Sequence, residues 1–524
     1  MSVSNTSENN GPAHIGSRAV KVAGVIFTGK IFSFILLAAS FIIVVRILGP
    51  STYGVYTLAI AVTGFFDAVG NFGIGTALNK FVTEYKSKKD YKRIGDTISN
   101  GLAIILITGT ILTIATFLTS SFFASQALHS PQYTYVIEIA SISILVMMLF
   151  GAANGALVGF GNGRQIATSL ILVSIIQSAL SIVLALLGLG SLAPIFALIF
   201  AYLIGFFAEI YYIFIENKIS FIKPTYMGIK RLFKFSIPIA AANFLRTVMS
   251  NASLIILGIF ATAFVIGNFG VASKTGFLIN IITDSISISL ISAFSSSLIN
   301  DFKKRNTGRL FSYSVYLSYL VASPMLFAVM VLSKPISYTA FGSAYTLAPI
   351  YIAIFGLGFF ISIFGIYASQ LLISASMLRS LLKYNIIISI SQILLALIFI
   401  PILGGLGAAI TLFLATPLIT SVLFAIPMKK TFNVDFRIGK IIRITFANML
   451  MGMLFLISTI LLPGYFILQI VLAPILTLAL YPMLLGILKC VNKNDIKKIG
   501  ALTDRLPIFN KFFSFMTKYV SVFI

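Results

Sequence analysis

From about residue 22 to residue 488 the chain is written as a succession of long apolar runs separated by short polar turns. A bilayer crossing takes roughly 20 apolar residues, and in hydrocarbon the backbone N–H and C=O groups must be satisfied within the protein, so such runs fold as helices. Of 524 residues 59% are hydrophobic and only 10% charged, outside the range of a soluble globular domain. The sequence therefore predicts an all-α polytopic membrane protein with about fourteen transmembrane helices. They are expected near 22–48, 53–79, 97–119, 135–159, 166–188, 193–215, 236–259, 269–298, 310–332, 350–373, 385–403, 405–427, 441–462 and 466–488. The first seventeen residues are polar and the apolar run after them is about 24 long, which suits a retained first helix better than a cleaved signal.

The opening of this series is written twice. A shift of 216 positions carries Lys30 onto Arg246, Gly54 onto Gly270, Lys88-Lys89 onto Lys304-Arg305 and Arg93 onto Arg309, without a gap, and brings Asp67 within one residue of Asp284. Each copy is an apolar helix with one cation, a turn, a second helix with one acid, and a basic loop. Later landmarks keep nearly the same spacing: Gly188 meets Gly404, Arg164 meets Arg379, and Phe150-Gly151 meets Phe364-Gly365. The chain is thus expected to form two pseudo-symmetric six-helix lobes, 22–215 and 236–427, in parallel orientation. A cytoplasmic segment 1–21, an inter-lobe loop 216–235, two extra helices within 441–488 and a basic tail 489–524 complete the organisation. Repeated halves in a membrane protein usually mean a transporter with its site between them.

Cations set the topology. Thirty-two Lys and Arg residues fall on one side of the expected helices, and only Arg46 and Lys334 on the other, leaving Lys30, Arg246 and Lys274 inside the membrane. Such asymmetry places both termini in the cytoplasm, in a multi-pass protein of the cell (plasma) membrane. Topogenesis and contact with anionic lipid headgroups also account for the net charge of +24 without nucleic acid. In the tail, Ile508–Phe523 is too short and too charged to span; it is expected to lie along the cytoplasmic surface with Lys511 and Lys518 toward the headgroups.

Ionisable groups within membrane helices cost several kcal/mol and ask for a partner or a purpose. Lys30 and Arg246 sit roughly 12–15 Å deep in the cytoplasmic half. Two symmetry-related cations at one depth suit a phosphate or diphosphate, unless each snorkels along its own stem to the interface. Asp67 and Asp284, near the middles of helices 2 and 8, can neutralise a cation of helix 1 or 7, or bind H+ or Na+ and couple its gradient; a purely structural ion pair stands beside these readings. Lys274 lies near the outer end of helix 8 and has no counterpart in the first half. Asn71, Asn79, Asn243, Asn251, Asn280, Gln177 and Gln370 can line a hydrated cavity for sugar hydroxyls, or bond between helices. Substrate-binding candidates are therefore Lys30, Arg246, Lys274, Asn71 and Asn243.

Other chemistry is excluded on residue types. One cysteine, Cys490, allows no internal disulfide or cysteine metal cluster. His14 and His129 lie far apart in polar segments, so no metal site is expected. The glycine-rich 159–163 segment is a turn between helices with no phosphate-loop lysine. Asn251-Ala-Ser253 has glycosylation spacing but sits inside a helix. No catalytic residues and no cofactor are expected.

Arg46-Ile-Leu-Gly-Pro50-Ser-Thr-Tyr-Gly54-Val-Tyr56, joining helices 1 and 2, resembles the opening signature of the polysaccharide transporters, or Wzx-type oligosaccharide flippases, within the MATE-like MOP superfamily. Phe72-Gly-Ile-Gly-Thr-Ala-Leu78 resembles the next segment of that family and Leu406-Gly-Ala-Ala-Ile410 a third. The resemblance implies two lobes around a V-shaped cavity alternating between membrane faces, lined by helices 1, 2, 7 and 8. Its implied cargo is an oligosaccharide on a polyprenyl phosphate or diphosphate, moved from the cytoplasmic to the outer leaflet for polysaccharide or glycoprotein glycan export. The implied lumen is cationic, with Lys30 and Arg246 as candidates. The partners expected are this lipid-linked substrate, membrane lipids and glycosyltransferases of the same pathway. Two rivals are weaker. A MATE-type multidrug/cation antiporter would want acids dominating the lumen, and a membrane oligosaccharide ligase or polymerase would need a long outer loop bearing catalytic groups.

Overall fold

The computed structural model describes the backbone of residues 12–70, 72–299, 305–492 and 495, and the side chains of these apart from 12–23, 238–250, 276–289, 291, 292 and 299. The N-terminal eleven residues and the Ile508–Phe523 stretch lie outside this set. Among the described residues every regular element is a helix, and eleven segments are long and apolar enough to cross a membrane. The packing divides the chain into two compact units, Met1–Phe264 and Val265–Ile524.

The first unit opens with α1 (Pro12–Gly70), which is two helices joined at Gly49, whose backbone is left-handed with φ 69 and ψ 170. Pro50 follows, so the reversal combines a residue without a Cβ and one without an N–H. Its apolar part runs 47 residues from Gly24, about 70 Å at the helical rise and more than twice a hydrocarbon core. The rings of Phe41 and Tyr53 are nevertheless only 6.0 Å apart, where a straight helix would hold twelve residues about 18 Å apart. The chain therefore folds back at Gly49, as the expected 22–48 and 53–79 pair requires.

The second of those helices is not continuous, as the sequence had implied. It stops at Gly70, and α2 (Ile74–Ser87) starts after Gly73, whose φ of 67 is again left-handed. Close packing flanks the break on both sides. A Cβ on Gly70 would run into Leu112, and one on Gly75 would lie 2.8 Å from the carbonyl oxygen of Gly151. The remaining helices are α3 (Tyr91–Ala127), α4 (Thr134–Phe160), α5 (Gly163–Leu186), α6 (Leu192–Tyr211), which ends in a π turn at Tyr212–Glu216, and α7 (Tyr226–Phe260). Ile74, Leu78, Val82, Ile98, Ile144, Ala156 and Phe160 centre the buried apolar cluster of this unit.

The loop expected at 216–235 is shorter, because α7 begins ten residues early. Thr225 caps it by accepting from the Gly228 N–H at 3.2 Å, and Asn100 of α3 accepts from the Thr225 N–H at 2.8 Å. Arg231, in the second turn of α7, reaches Asp96 at 3.5 Å. By packing, α7 belongs to the first unit, with α1 and α3 among its neighbours.

The second unit contains α8 (Ala263–Ile299), α9 (Arg305–Val331), a short α10 (Ser333–Phe341) in the connection between the expected helices 310–332 and 350–373, α11 (Ala348–Ser374) and α12 (Leu378–Leu403). The expected helix at 405–427 is resolved into α13 (Gly405–Ala409), a π turn at Ile410–Ala415 and α14 (Thr416–Phe432). Gly358 of α11 abuts the Phe413 backbone in that turn. The two helices outside the repeat, α15 (Ile438–Leu461) and α16 (Phe466–Ile487), dock on α9. Asn448 Nδ2 donates to Ser323 Oγ at 2.7 Å and the Tyr481 hydroxyl to the Leu320 carbonyl at 3.0 Å. Such bonds and small-residue contacts supply association where lipid offers no hydrophobic drive.

Gly155 tests that account, because a Cβ there would strike the backbone of Gly75, whereas Gly151, one turn earlier on α4, faces open space. Gly155→Ala should lower stability by about 1–3 kcal/mol, read as a fall in melting temperature in detergent. Gly151→Ala should leave it unchanged or raise it by up to about 1 kcal/mol through helix propensity. Equal effects of the two would contradict the packing described.

Candidate functional site

Within the first unit the returning half of α1 runs antiparallel to α7. A Cβ on Gly64 would meet the Asn251 side chain, and Leu58 lies against Gly258. Extending this register by half a turn to a turn sets Asp67 two to three residues from the level of Arg246, roughly 3–5 Å along the axis. The Phe41–Tyr53 contact likewise sets Lys30 near the level of Gly64. Lys30, Asp67 and Arg246 thus occupy one layer about 8 Å tall. Lys30 is exposed and Asp67 half-buried. Next to Lys30, Gly29 packs tightly on Ala167 of α5, which fixes the rotation of this stretch of α1.

The other candidates fall differently. Asn243 lies one turn before Arg246 on α7, and Asp284 and Asn280 lie on α8; the side chains of all four, Arg246 included, are outside the described set, as is Asn71 altogether. Lys274 is exposed on α8. Hence the candidates divide between the units, with Lys30, Asp67, Asn243 and Arg246 in the first and Lys274 and Asp284 in the second.

Beside Gly73, where α2 begins, lies a cavity of about 330 Å³ lined by Gly73, Thr76, Asn79, Met148, Gly151 and Asn154, among others. Interrupted helices that border a cavity recur at transporter sites. Behind it lies a group that sequence reasoning passed over. Glu209 of α6 is fully buried; its Oε1 accepts from Asn154 Nδ2 at 2.6 Å and Ser169 Oγ at 2.8 Å. Its Oε2 has no hydrogen-bond partner among the described residues. The signal was available, since Glu209 is the one acid in the apolar run 193–215. Glu138 on α4, 3.5 Å from Ser120 Oγ, was passed over in the same way. Among the described residues no cluster of His, Cys, Asp and Glu could hold a metal ion.

Glu209→Gln keeps an oxygen for Asn154 and Ser169 and should leave the melting temperature nearly unchanged. Glu209→Ala strands both donors in the interior and should cost about 1–3 kcal/mol. If the alanine variant melts like wild type, the three-residue cluster is not a structural bond network.

Residues 43–350 match a family described as polysaccharide biosynthesis protein. Lipid II flippase MurJ of Bacillus subtilis (strain 168) is 25% identical over 176 residues, 31% of this chain and 31% of that protein. Succinoglycan biosynthesis transport protein ExoT of Rhizobium meliloti (strain 1021) is 21% identical over 309 residues, 58% of this chain and 59% of its own length. The chain thus aligns with less than two thirds of each of these relatives. A solved lipid II flippase MurJ, in an inward closed conformation, superposes with a TM-score of 0.70 at 16% identity, over 88% of this chain and 98% of that one. An inward-facing multidrug resistance MATE family transporter of the MOP superfamily gives 0.67 at 14% identity, over 76% and 94%. At these identities the likeness is one of fold, and it bears out an all-α, multi-pass membrane architecture. The signature segments Arg46–Tyr56 and Phe72–Leu78 both lie inside the matched stretch, which spans more than half of the sequence, and the chain belongs to the polysaccharide biosynthesis protein family.

Proposed function

We propose that this protein is a flippase without covalent chemistry. It moves an oligosaccharide carried on a polyprenyl phosphate or diphosphate from the cytoplasmic to the outer leaflet of the plasma membrane by alternating access. The observation that carries the reading is the layer formed by Lys30, Asp67 and the Arg246 backbone position, in a chain whose family and relatives handle glycans and lipid-linked precursors. Lys30 and Arg246 bind the anionic head, while the lipid tail stays in the bilayer. Binding biases a two-state equilibrium by its differential affinity for the two states.

In the empty protein Asp67 compensates Arg246, and the phosphate displaces it; Asp67 then takes up a proton or Na+, which couples transport to a gradient. Asp284 has the corresponding role for the second unit. Asn71 and Asn243 contact sugar hydroxyls, and Lys274 engages the cargo near the outer face. Both termini lie in the cytoplasm, with fourteen crossings when the two halves of α1 are counted separately. Glycosyltransferases that build the cargo are the expected functional partners.

A MATE-type antiporter shares the fold, so transport must decide. In proteoliposomes, wild type should translocate a fluorescent lipid-linked sugar and should not export a cationic dye; dye export without lipid movement would establish the antiporter. Lys30→Ala and Arg246→Ala should each cut flipping about tenfold or more with expression intact, in line with the loss of a charge-assisted phosphate contact. If both variants flip at the wild-type rate, these cations only snorkel.

A further inference from the structure

A second concentration of positive charge lies in the second unit, where α9 begins and α14 gives way to α15. An open cavity of about 750 Å³ is lined there by Arg305, Arg309, Tyr313, Asn433, Asp435 and Arg437, among others. That size is within the range of small-ligand sites. Gly308 lets α9 lie directly against the Phe432 carbonyl, so Arg305 and Arg309, four residues apart on one face, overhang the 433–437 loop. Both are exposed, and among the described residues neither is bridged to a carboxylate.

Arg437 completes the cluster from the loop. Its backbone is left-handed, with φ 47, an uncommon state for a residue with a long side chain. The Asp435 carboxylate accepts from its N–H at 3.1 Å and holds that turn. The Arg437 guanidinium carbon stands 5.6 Å from the Tyr313 ring and 5.7 Å from the Tyr316 ring. It is therefore oriented before any ligand arrives. Arg437 is also the N-cap of α15, a 24-residue helix whose positive end opens here. Among the described residues the acids nearby leave the field positive: Asp435, in the lining itself, offsets one of the three guanidinium charges, and Asp495 is bound to Lys440 at 2.6 Å. Although burial pushes the Asp495 carboxyl up, that lysine holds it below the usual carboxylate range. Three guanidinium forks at a helix N-terminus suit an anion over a neutral ligand, and a phosphate has more oxygens than a carboxylate to engage several forks at once.

We propose that this cavity, at the ends of apolar helices of the second unit, binds the phosphate or diphosphate headgroup of a lipid in the adjoining leaflet. An anionic phospholipid and a polyprenyl phosphate present the same chemistry, and the test separates them. Full-length protein is assayed by native mass spectrometry for retention of cardiolipin and of undecaprenyl phosphate. The triple variant Arg305→Gln, Arg309→Gln, Arg437→Gln should weaken at least one of them about tenfold or more. The corresponding triple lysine variant should fall in between, because an ammonium keeps charge but loses the fork. Lys88→Gln, Lys89→Gln, Lys92→Gln, on the other basic loop, should retain both lipids.

Loss of cardiolipin alone makes the ligand a structural or regulatory phospholipid; loss of undecaprenyl phosphate alone makes the cavity a loading site for cargo. Wild-type retention of both lipids by the glutamine variant, or equal loss in the Lys88 set, overturns the proposal. Should the glutamine variant fail to fold, wild type against the lysine variant decides, and equal affinities overturn it. Lys30 and Arg246 are present throughout, so failure here leaves the transport reading intact.

Discussion

Carrying an ion into hydrocarbon costs several kcal/mol unless an opposite charge, a dipole or water meets it, and the charges of the first unit's helices are placed under that cost. Glu209 meets it with two donors from neighbouring helices. Asp67 and Arg246 are brought to one level by the antiparallel register of α1 and α7. Lys30, in the same layer, is exposed. A cation that is neither buried nor stranded at the end of a helix is the feature that a transported anion would explain.

The same solvent dictates how the helices approach. With lipid tails as apolar as leucine, packing rests on backbone proximity and scattered polar bonds. Gly75 meets Gly155, Gly308 meets Phe432, and Asn448 meets Ser323. Where glycine permits close approach it also permits the chain to break, as at Gly73, and a small polar cavity lies beside it. Structure and candidate chemistry thus share one cause, the absence of a side chain at chosen positions.

Much of this was legible in the sequence. The apolar runs place most helices within a few residues, because in a bilayer length and hydrophobicity leave little choice. Interruptions were not legible. Phe72-Gly-Ile-Gly reads as continuous helix until the contacts of Gly70 and Gly75 are known, and the early start of α7 depends on Asn100, more than a hundred residues away. Lys30 and Asp67 were visible as charges in apolar runs, and Glu209 was equally visible but unpaired by any repeat. The Arg305–Arg309–Arg437 cluster could not be assembled from sequence, because its members meet only when Gly308 docks on Phe432 and Arg437 takes a left-handed turn.

The account depends on Lys30 facing water that an anionic head can enter. Lys30→Cys in a Cys490→Ser background isolates that position; the native thiol is buried, which pushes it up to about 11. The direct measurement is its labelling rate with a membrane-impermeant thiol reagent, with and without undecaprenyl diphosphate. The account predicts rapid labelling that the lipid diphosphate slows. A thiol inert to the impermeant reagent and reactive only to a lipid-soluble maleimide would place this side chain in the bilayer and contradict it.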